Sequence, residues 1–334
     1  MEEKIIELDR ILSGLEETES LFGSFLIKKD GEIMYQKIIG YRDIVDGIPV
    51  YADNQTKYRI ASITKTFTSV MIQKAIEMGL IQYDTTLDAF FPLIQNAEKI
   101  TIHDMLYHRS GLYDYINDPQ FRVQYDESHL MRTEMLEVIY NSKHLRPNSR
   151  TKYSNTNYVL LGYILEDLYQ KTYNDLLKEM ITDVIGLQNT SYAETISVEN
   201  NESRSFIYEN GFIPAEESNL SWGGGASAII STTEDTALFY ESLFNGKLLK
   251  KDSLEHMIDA RYKLVKDTWL GMGIMKLIMN DKNIYSHDGR IGAFQSLILY
   301  DPNEKITIAG FVNGGSRKDI DSMSSLNGLL LGWF

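Results

Sequence analysis

The chain has no cysteine. That removes disulfides, thiol redox chemistry, cysteine nucleophiles and thiolate metal sites together, and leaves the chemistry to oxygen, nitrogen and carboxylate groups. Six prolines in 334 residues are too few for a collagen-like or proline-rich disordered chain. Positive charge is also scarce: 33 Lys and Arg stand against 47 Asp and Glu, a formal net charge of −14. The electrostatic footprint of a nucleic-acid binder is therefore missing, and no nucleic-acid partner is expected. No apolar run approaches the roughly 18 residues needed to cross a bilayer, so no membrane partner is expected either. The opening residues, Met1-Glu2-Glu3-Lys4-Ile5-Ile6-Glu7, are acidic and lack the basic start and apolar stretch of a secretory signal, which reads as cytoplasmic. What the chain does have is 43% apolar and 11% aromatic residues, enough for a globular protein with a sizeable core.

Apolar positions Ile5, Leu8, Ile11, Leu12 and Leu15 predict a helix over residues 4–16. From Ser24 to Ile38, two strand-like runs flank Asp30-Gly31, a pair suited to the positive φ of a tight hairpin turn. Ile63, Phe67, Val70, Met71, Ala75 and Ile76 recur at helical spacing after Ser62. A second helix is expected at 158–169. The strand pattern returns at 296–300 and 306–312, and an apolar helix is expected at about 318–332. Strands at both ends with helices between predict an α/β (α+β) fold: one antiparallel sheet flanked by terminal helices, with an inserted helical region. The expected organisation is a single catalytic domain, its α/β part at about 1–60 and 223–334 and its mainly helical part at about 61–222.

Ser62-Ile63-Thr64-Lys65 places a serine and a lysine three apart at the start of a helix, on one face and within reach of each other. The helix N-terminus favours developing negative charge, and a desolvated amine can accept a serine proton. Ser149-Arg150-Thr151-Lys152 repeats the same spacing. Tyr153-Ser154-Asn155 is one of three Y-x-N triplets, with Tyr115-Ile116-Asn117 and Tyr208-Glu209-Asn210, and spelling alone does not choose among them. His287-Asp288-Gly289 is the sole H-x-G in the chain. The six histidines show no zinc-ligand spacing, Gly223-Gly224-Gly225 lacks the lysine of a phosphate loop, and no dinucleotide fingerprint occurs. No metal and no cofactor are expected; the triple glycine reads as a flexible or tightly approached backbone beside something functional.

Taken in order, Arg59-Ile60-Ala61-Ser62-Ile63-Thr64-Lys65, Met105 through Leu112, Tyr153-Ser154-Asn155, Gly225 through Asp235, and His287-Asp288-Gly289 resemble the successive signatures of one family. It is the serine β-lactamase-like hydrolases related to class C β-lactamases, with DD-peptidases, D-aminopeptidases and carboxylesterases among its members. The likeness runs from about Phe25 to Asn313. It implies the β-lactamase/transpeptidase-like fold, Ser62 as nucleophile, and Lys65 and Tyr153 sharing the general-base role, with the lysine charge lowering the phenol pKa. It further implies an oxyanion hole from the backbone N–H groups of Ser62 and Arg290, Asn155 orienting the acyl group and holding Lys65, and His287 supporting the Tyr153 network, with Asp288 and Gly289 beside the substrate. Tyr107 and Arg109 depart from a segment that is small and polar in the family and read as packing variants. Asp288 departs too, a negative group where β-lactamases bind a substrate carboxylate.

The expected activity is a serine hydrolase working through an acyl-enzyme, an esterase or amidohydrolase on small esters, amides or short peptides. The alternatives are a peptidase of DD-peptidase or D-aminopeptidase type, a weak β-lactamase, and a non-hydrolytic penicillin-binding-like sensor. Nothing in the sequence sets the oligomeric state.

Overall fold

Every side chain of Phe294–Asp301 is buried. Alternate ones go to opposite faces: Leu297 and Leu299 join an apolar cluster with Leu8, Leu12 and Phe25, while Ile298 and Tyr300 join a larger core that includes Phe67 and Met71. The period of two is that of a strand covered on both sides. In the computed structural model, which describes residues 2–208, 211–316 and 329–333, this strand lies inside the main sheet. The sheet runs in the order Tyr262–Val265, Thr268–Leu270, Met275–Met279, Lys282–Ile291, Phe294–Asp301, Ile306–Ser316, Phe22–Lys29 and Glu32–Ile39. Neighbours along this path are antiparallel. Among the described residues the first strand of the chain thus pairs with the last one, as the sequence pattern suggested.

The hairpin turn is as expected, with Asp30 and Gly31 at φ 51° and 86° and Lys29 paired with Glu32. Two positive φ values in a two-residue loop match the right-handed twist of the flanking strands. The first helix covers Glu2–Glu17 and buries Leu8 and Leu12 on the sheet. Leu330 packs into the same cluster, and the Lys4 ammonium donates to the Trp333 carbonyl at 2.8 Å. Most of the helix expected at 318–332 lies outside the described residues. Among the described residues no helix is long and apolar enough to cross a membrane.

The sequence pattern missed several strands. Phe206–Tyr208 and Phe212–Pro214 fall in the part read as helical, yet the former pairs in parallel with Ile306–Ser316. Tyr58–Arg59 pairs with Ile229–Ser231, which brings the residues just before Ser62 next to those just after the triple glycine. These strands are two or three residues long, too short to show an alternation.

The helix after Ser62 spans Thr64–Glu77 and is buried on nearly all sides. Its polar side chains are satisfied by loop carbonyls: Thr66 donates to Gly273 O at 2.7 Å, Thr68 to Gly225 O at 2.6 Å and Ser69 to Met272 O at 2.7 Å. It packs on the helix Thr156–Tyr169 and on the short turn Gly224–Ser227. There the triple glycine matters by close approach. A Cβ on Gly225 would stand 2.7 Å from Tyr158 O and 3.2 Å from the Gly162 Cα. Gly225→Ala is expected to lower stability by about 1–3 kcal/mol, the usual cost of overpacking, read as a fall in the denaturation midpoint; an unchanged midpoint would contradict this packing.

Candidate active site

Ser62 sits in a single 3₁₀ turn, Ala61–Ile63, that leads into the Thr64–Glu77 helix. Ala61 is held at φ 46°, a left-handed conformation that a residue with a Cβ rarely adopts and that marks local strain. The turn is pinned by the strand Lys282–Ile291. A Cβ on Gly289 would lie 2.6 Å from Ile60 O and 2.8 Å from the Ser62 nitrogen, so only glycine lets the strand pass this close. Ser296, on the neighbouring strand, donates to Ile60 O at 2.8 Å.

Lys65 lies one helical turn beyond Ser62 and is fully buried. Its amine meets three acceptors: Ser62 Oγ at 2.9 Å, Asn155 Oδ1 at 2.7 Å and Ala226 O at 2.9 Å. Burial pulls its pKa down to about 7, against the opposing pull of Asp114 and Asp288. In the neutral amine two N–H groups remain. The carbonyl oxygens of Asn155 and Ala226 can only accept and so take both, which leaves the nitrogen lone pair facing the Ser62 hydroxyl. Which end of the Asn155 amide faces Lys65 is itself fixed, because its Nδ2 donates to Asp114 Oδ1 at 3.1 Å.

Tyr153 forms the other wall. Its phenol faces the Ser62 side chain, which favours the ionised form, and its ring centroid lies 5.1 Å from the Lys65 nitrogen. The expected lowering of the phenol pKa does not occur: desolvation dominates and raises it above the ordinary tyrosine value, with Asp288 and Asp114 adding to the rise.

His287 is buried, and its Nδ1 lies 2.7 Å from the Asp288 carbonyl oxygen; burial lowers its pKa to about 4, so the ring is neutral. A second histidine, His108, is in contact with Tyr153. Its ring stacks on the phenol with centroids 4.2 Å apart and planes at 21°, and its Nδ1 accepts the Ser154 backbone N–H at 3.1 Å. Arg109 and Tyr107 do more than fill space. The Arg109 guanidinium lies 4.5 Å over the Tyr262 ring and donates to Asn148 O at 2.8 Å, while Tyr107 donates to Asp259 O at 2.7 Å. Together they tie the loop before Tyr153 to the segment entering the sheet.

Ser62, Tyr153, Asn155, Asp288, Gly289 and Arg290 all line one cleft of about 810 Å³. Lys65 and His287 lie buried behind its wall. The competing matches fall elsewhere or serve otherwise. Ser149 and Lys152 are exposed, and Ser149 bonds its own loop at Arg146 O. Tyr115 donates to Trp222 O in the core, and Tyr208-Glu209-Asn210 runs out of the described residues. Asp114 and His108 were missed as site residues. Asp114 lies 41 positions from the asparagine it orients, and no spacing in the sequence advertises that pairing.

The arrangement has counterparts. A protein-family model, Beta-lactamase, matches residues 8–328. The chain belongs to the Beta-lactamase family. Within it, the chain is 27% identical over 312 residues to penicillin-binding protein 4* of Bacillus subtilis (strain 168), covering 87% of this chain and 68% of that protein. The chain spans between 60% and 68% of the length of the curated relatives it matches. The penicillin binding protein from Bacillus halodurans shares the fold with a TM-score of 0.81 at 22% identity, covering 96% of this chain and 100% of that one. The D-amino acid amidase from Ochrobactrum anthropi SV3, complexed with D-phenylalanine, also gives a TM-score of 0.81 at 22% identity, over 97% and 98% of the two chains. The β-lactamase/transpeptidase-like fold expected from the motifs is thereby the fold of this family member.

Asp114 yields a test with two readouts. Asp114→Ala releases the Asn155 amide and removes a charge that raises the Lys65 pKa. The expected result is a roughly tenfold or greater loss of kcat, with the low-pH limb of the rate profile moving to lower pH. A full-activity variant with an unmoved limb would show that Asn155 is held by other means.

Proposed function

We propose that the protein is a serine hydrolase that cleaves small esters or amides through an acyl-enzyme on Ser62. The observation that carries this reading is the coordination of Lys65: two pure acceptors occupy its N–H groups and its remaining valence faces Ser62 Oγ at 2.9 Å. A buried amine with a pKa near 7 is poised to take a proton at neutral pH. Membership of the Beta-lactamase family and the shared fold of an amidase support the same chemistry.

In the first step Ser62 Oγ attacks the substrate carbonyl carbon as its proton passes to the Lys65 nitrogen. The tetrahedral oxyanion is held by the backbone N–H groups of Ser62 and Arg290, at the place where Gly289 lets strand and turn meet. Collapse breaks the bond to the leaving group, which takes a proton from Tyr153, and Lys65 returns its proton to the phenol. A high phenol pKa suits this role, since the group starts protonated and is a relay rather than the primary base. Water then attacks the ester carbonyl, gives its proton to Lys65, and the carbon–Oγ bond breaks as the serine is reprotonated. His108 keeps the phenol in place by stacking, and Asn155 keeps the lysine.

Intact-mass analysis after a fluorophosphonate should show one adduct on Ser62, and Ser62→Ala should abolish labelling and turnover together. Labelling at Ser149 or none at all would overturn the assignment. Because Lys65 must be neutral to act, kcat/KM should fall about tenfold per pH unit below its pKa near 7 and level off above it. A profile flat from acid to neutral pH would remove Lys65 from the base role.

A further inference from the structure

Asp288 takes no part in the proton transfers, yet it lines the cleft in which they occur. Its charge is felt by Lys65, Tyr153, His287 and Tyr240, the groups buried around the cleft wall. The residue is half-buried. Among the described residues its carboxylate has no hydrogen bond and no ion pair, unlike the acids around it. Asp114 accepts from Asn155 and Asn117, Asp126 pairs with Arg122 at 2.7 Å, and Asp259 pairs with Arg261 at 2.5 Å. A half-buried charge without a partner is costly, and such a group in a binding cleft is paired by what binds there.

The cations nearby do not fill the role. Lys65 is held by Asn155, Ala226 and Ser62, and Arg122 by Asp126 and the Trp222 ring, 4.6 Å from its guanidinium. Arg290 stands at the exposed rim.

We propose that the substrate carries an ammonium group that pairs with Asp288, so that the enzyme acts on cationic amino esters or amino amides and disfavours substrates with a carboxylate at that place. The inference rests on the serine hydrolase reading of Ser62 and narrows its substrate class. Its geometry follows from the strand. Gly289 abuts the Ser62 nitrogen and Asp288 precedes it by one Cα step of about 3.8 Å, so a cation roughly 4–8 Å from the scissile carbonyl meets the carboxylate. That separation suits an amine two to four carbons from the carbonyl.

Three 4-nitrophenyl esters matched in shape make the test: 4-(trimethylammonio)butanoate, its neutral isostere 5,5-dimethylhexanoate, and monoglutarate. The quaternary nitrogen cannot cyclise onto the ester. The wild type should show kcat/KM about tenfold or more above the neutral ester for the cation, and about tenfold below it for the anion. Asp288→Asn should bring all three within about threefold of one another, and Asp288→Glu should keep the order. Should the Asn variant fail to fold, the wild-type preference must still shrink as ionic strength rises from about 0.01 M to 1 M, where screening contracts to a few ångströms. Equal rates for the three esters in a wild type that labels at Ser62 overturn this proposal and leave the hydrolase reading standing. A preference unchanged in Asp288→Asn overturns it as well. Absence of Ser62 labelling, with or without ester turnover, overturns the hydrolase reading itself.

Discussion

The structure depends on keeping the Lys65 amine out of water. In solution a lysine, with a pKa of about 10.4, is almost wholly charged at neutrality and useless there as a base. Packing the whole Thr64–Glu77 helix inside the protein brings the amine down to where its proton can come and go. The cost is that every polar group on that helix must find a partner indoors. The loop carbonyls of Gly225, Met272 and Gly273 supply them, and these come from segments remote in sequence. The same burial raises the Tyr153 phenol and holds His287 neutral, so one desolvated pocket sets three protonation states at once.

Glycines make that burial possible. At Gly225 two backbones touch, which carries the Ala226 carbonyl to the lysine; at Gly289 a strand touches the turn that holds Ser62. Each contact is too close for a Cβ. Both stretches hold the reactive groups by backbone geometry.

Several long elements were legible in the sequence because each carried a full period of its pattern, although the strand Lys282–Ile291 and the helix Thr233–Phe244 were not among them. The hairpin at Asp30-Gly31, the strand around Ile298 and the helices after Ser62 and Asn155 formed as the apolar spacing required. The two- and three-residue strands were not legible, since tertiary pairing creates them. In the site, the motifs Ser62-x-x-Lys65, Tyr153-x-Asn155 and His287-x-Gly289 could be read, and the structure brings them to one cleft and its wall. Thr66, Thr68 and Ser69 are polar by type, yet they lie on a dry face of the Thr64–Glu77 helix. Periodicity gave no hint of Asp114 behind Asn155 or of His108 against Tyr153, because a partner reached through space leaves no mark on spacing. The direction of the phenol shift failed for a related reason. Neighbouring charge can be guessed from a motif, but desolvation depends on everything that surrounds it.

The strand Phe22–Lys29 is clasped between Glu32–Ile39 and Ile306–Ser316, near-opposite reaches of the chain. The sheet therefore cannot close until residue 306 and those after it are available, and the inner strand carrying Gly289 has no finished sheet to lie in before then. Such long-range pairing is slow to form. A ribosome-bound chain that already contains Ser62, Lys65 and Tyr153 has the ingredients of a nucleophile but not the dry chamber that sharpens it. The chamber around Lys65 is thus a late product of the topology, completed only when Ile306–Ser316 pairs with Phe22–Lys29.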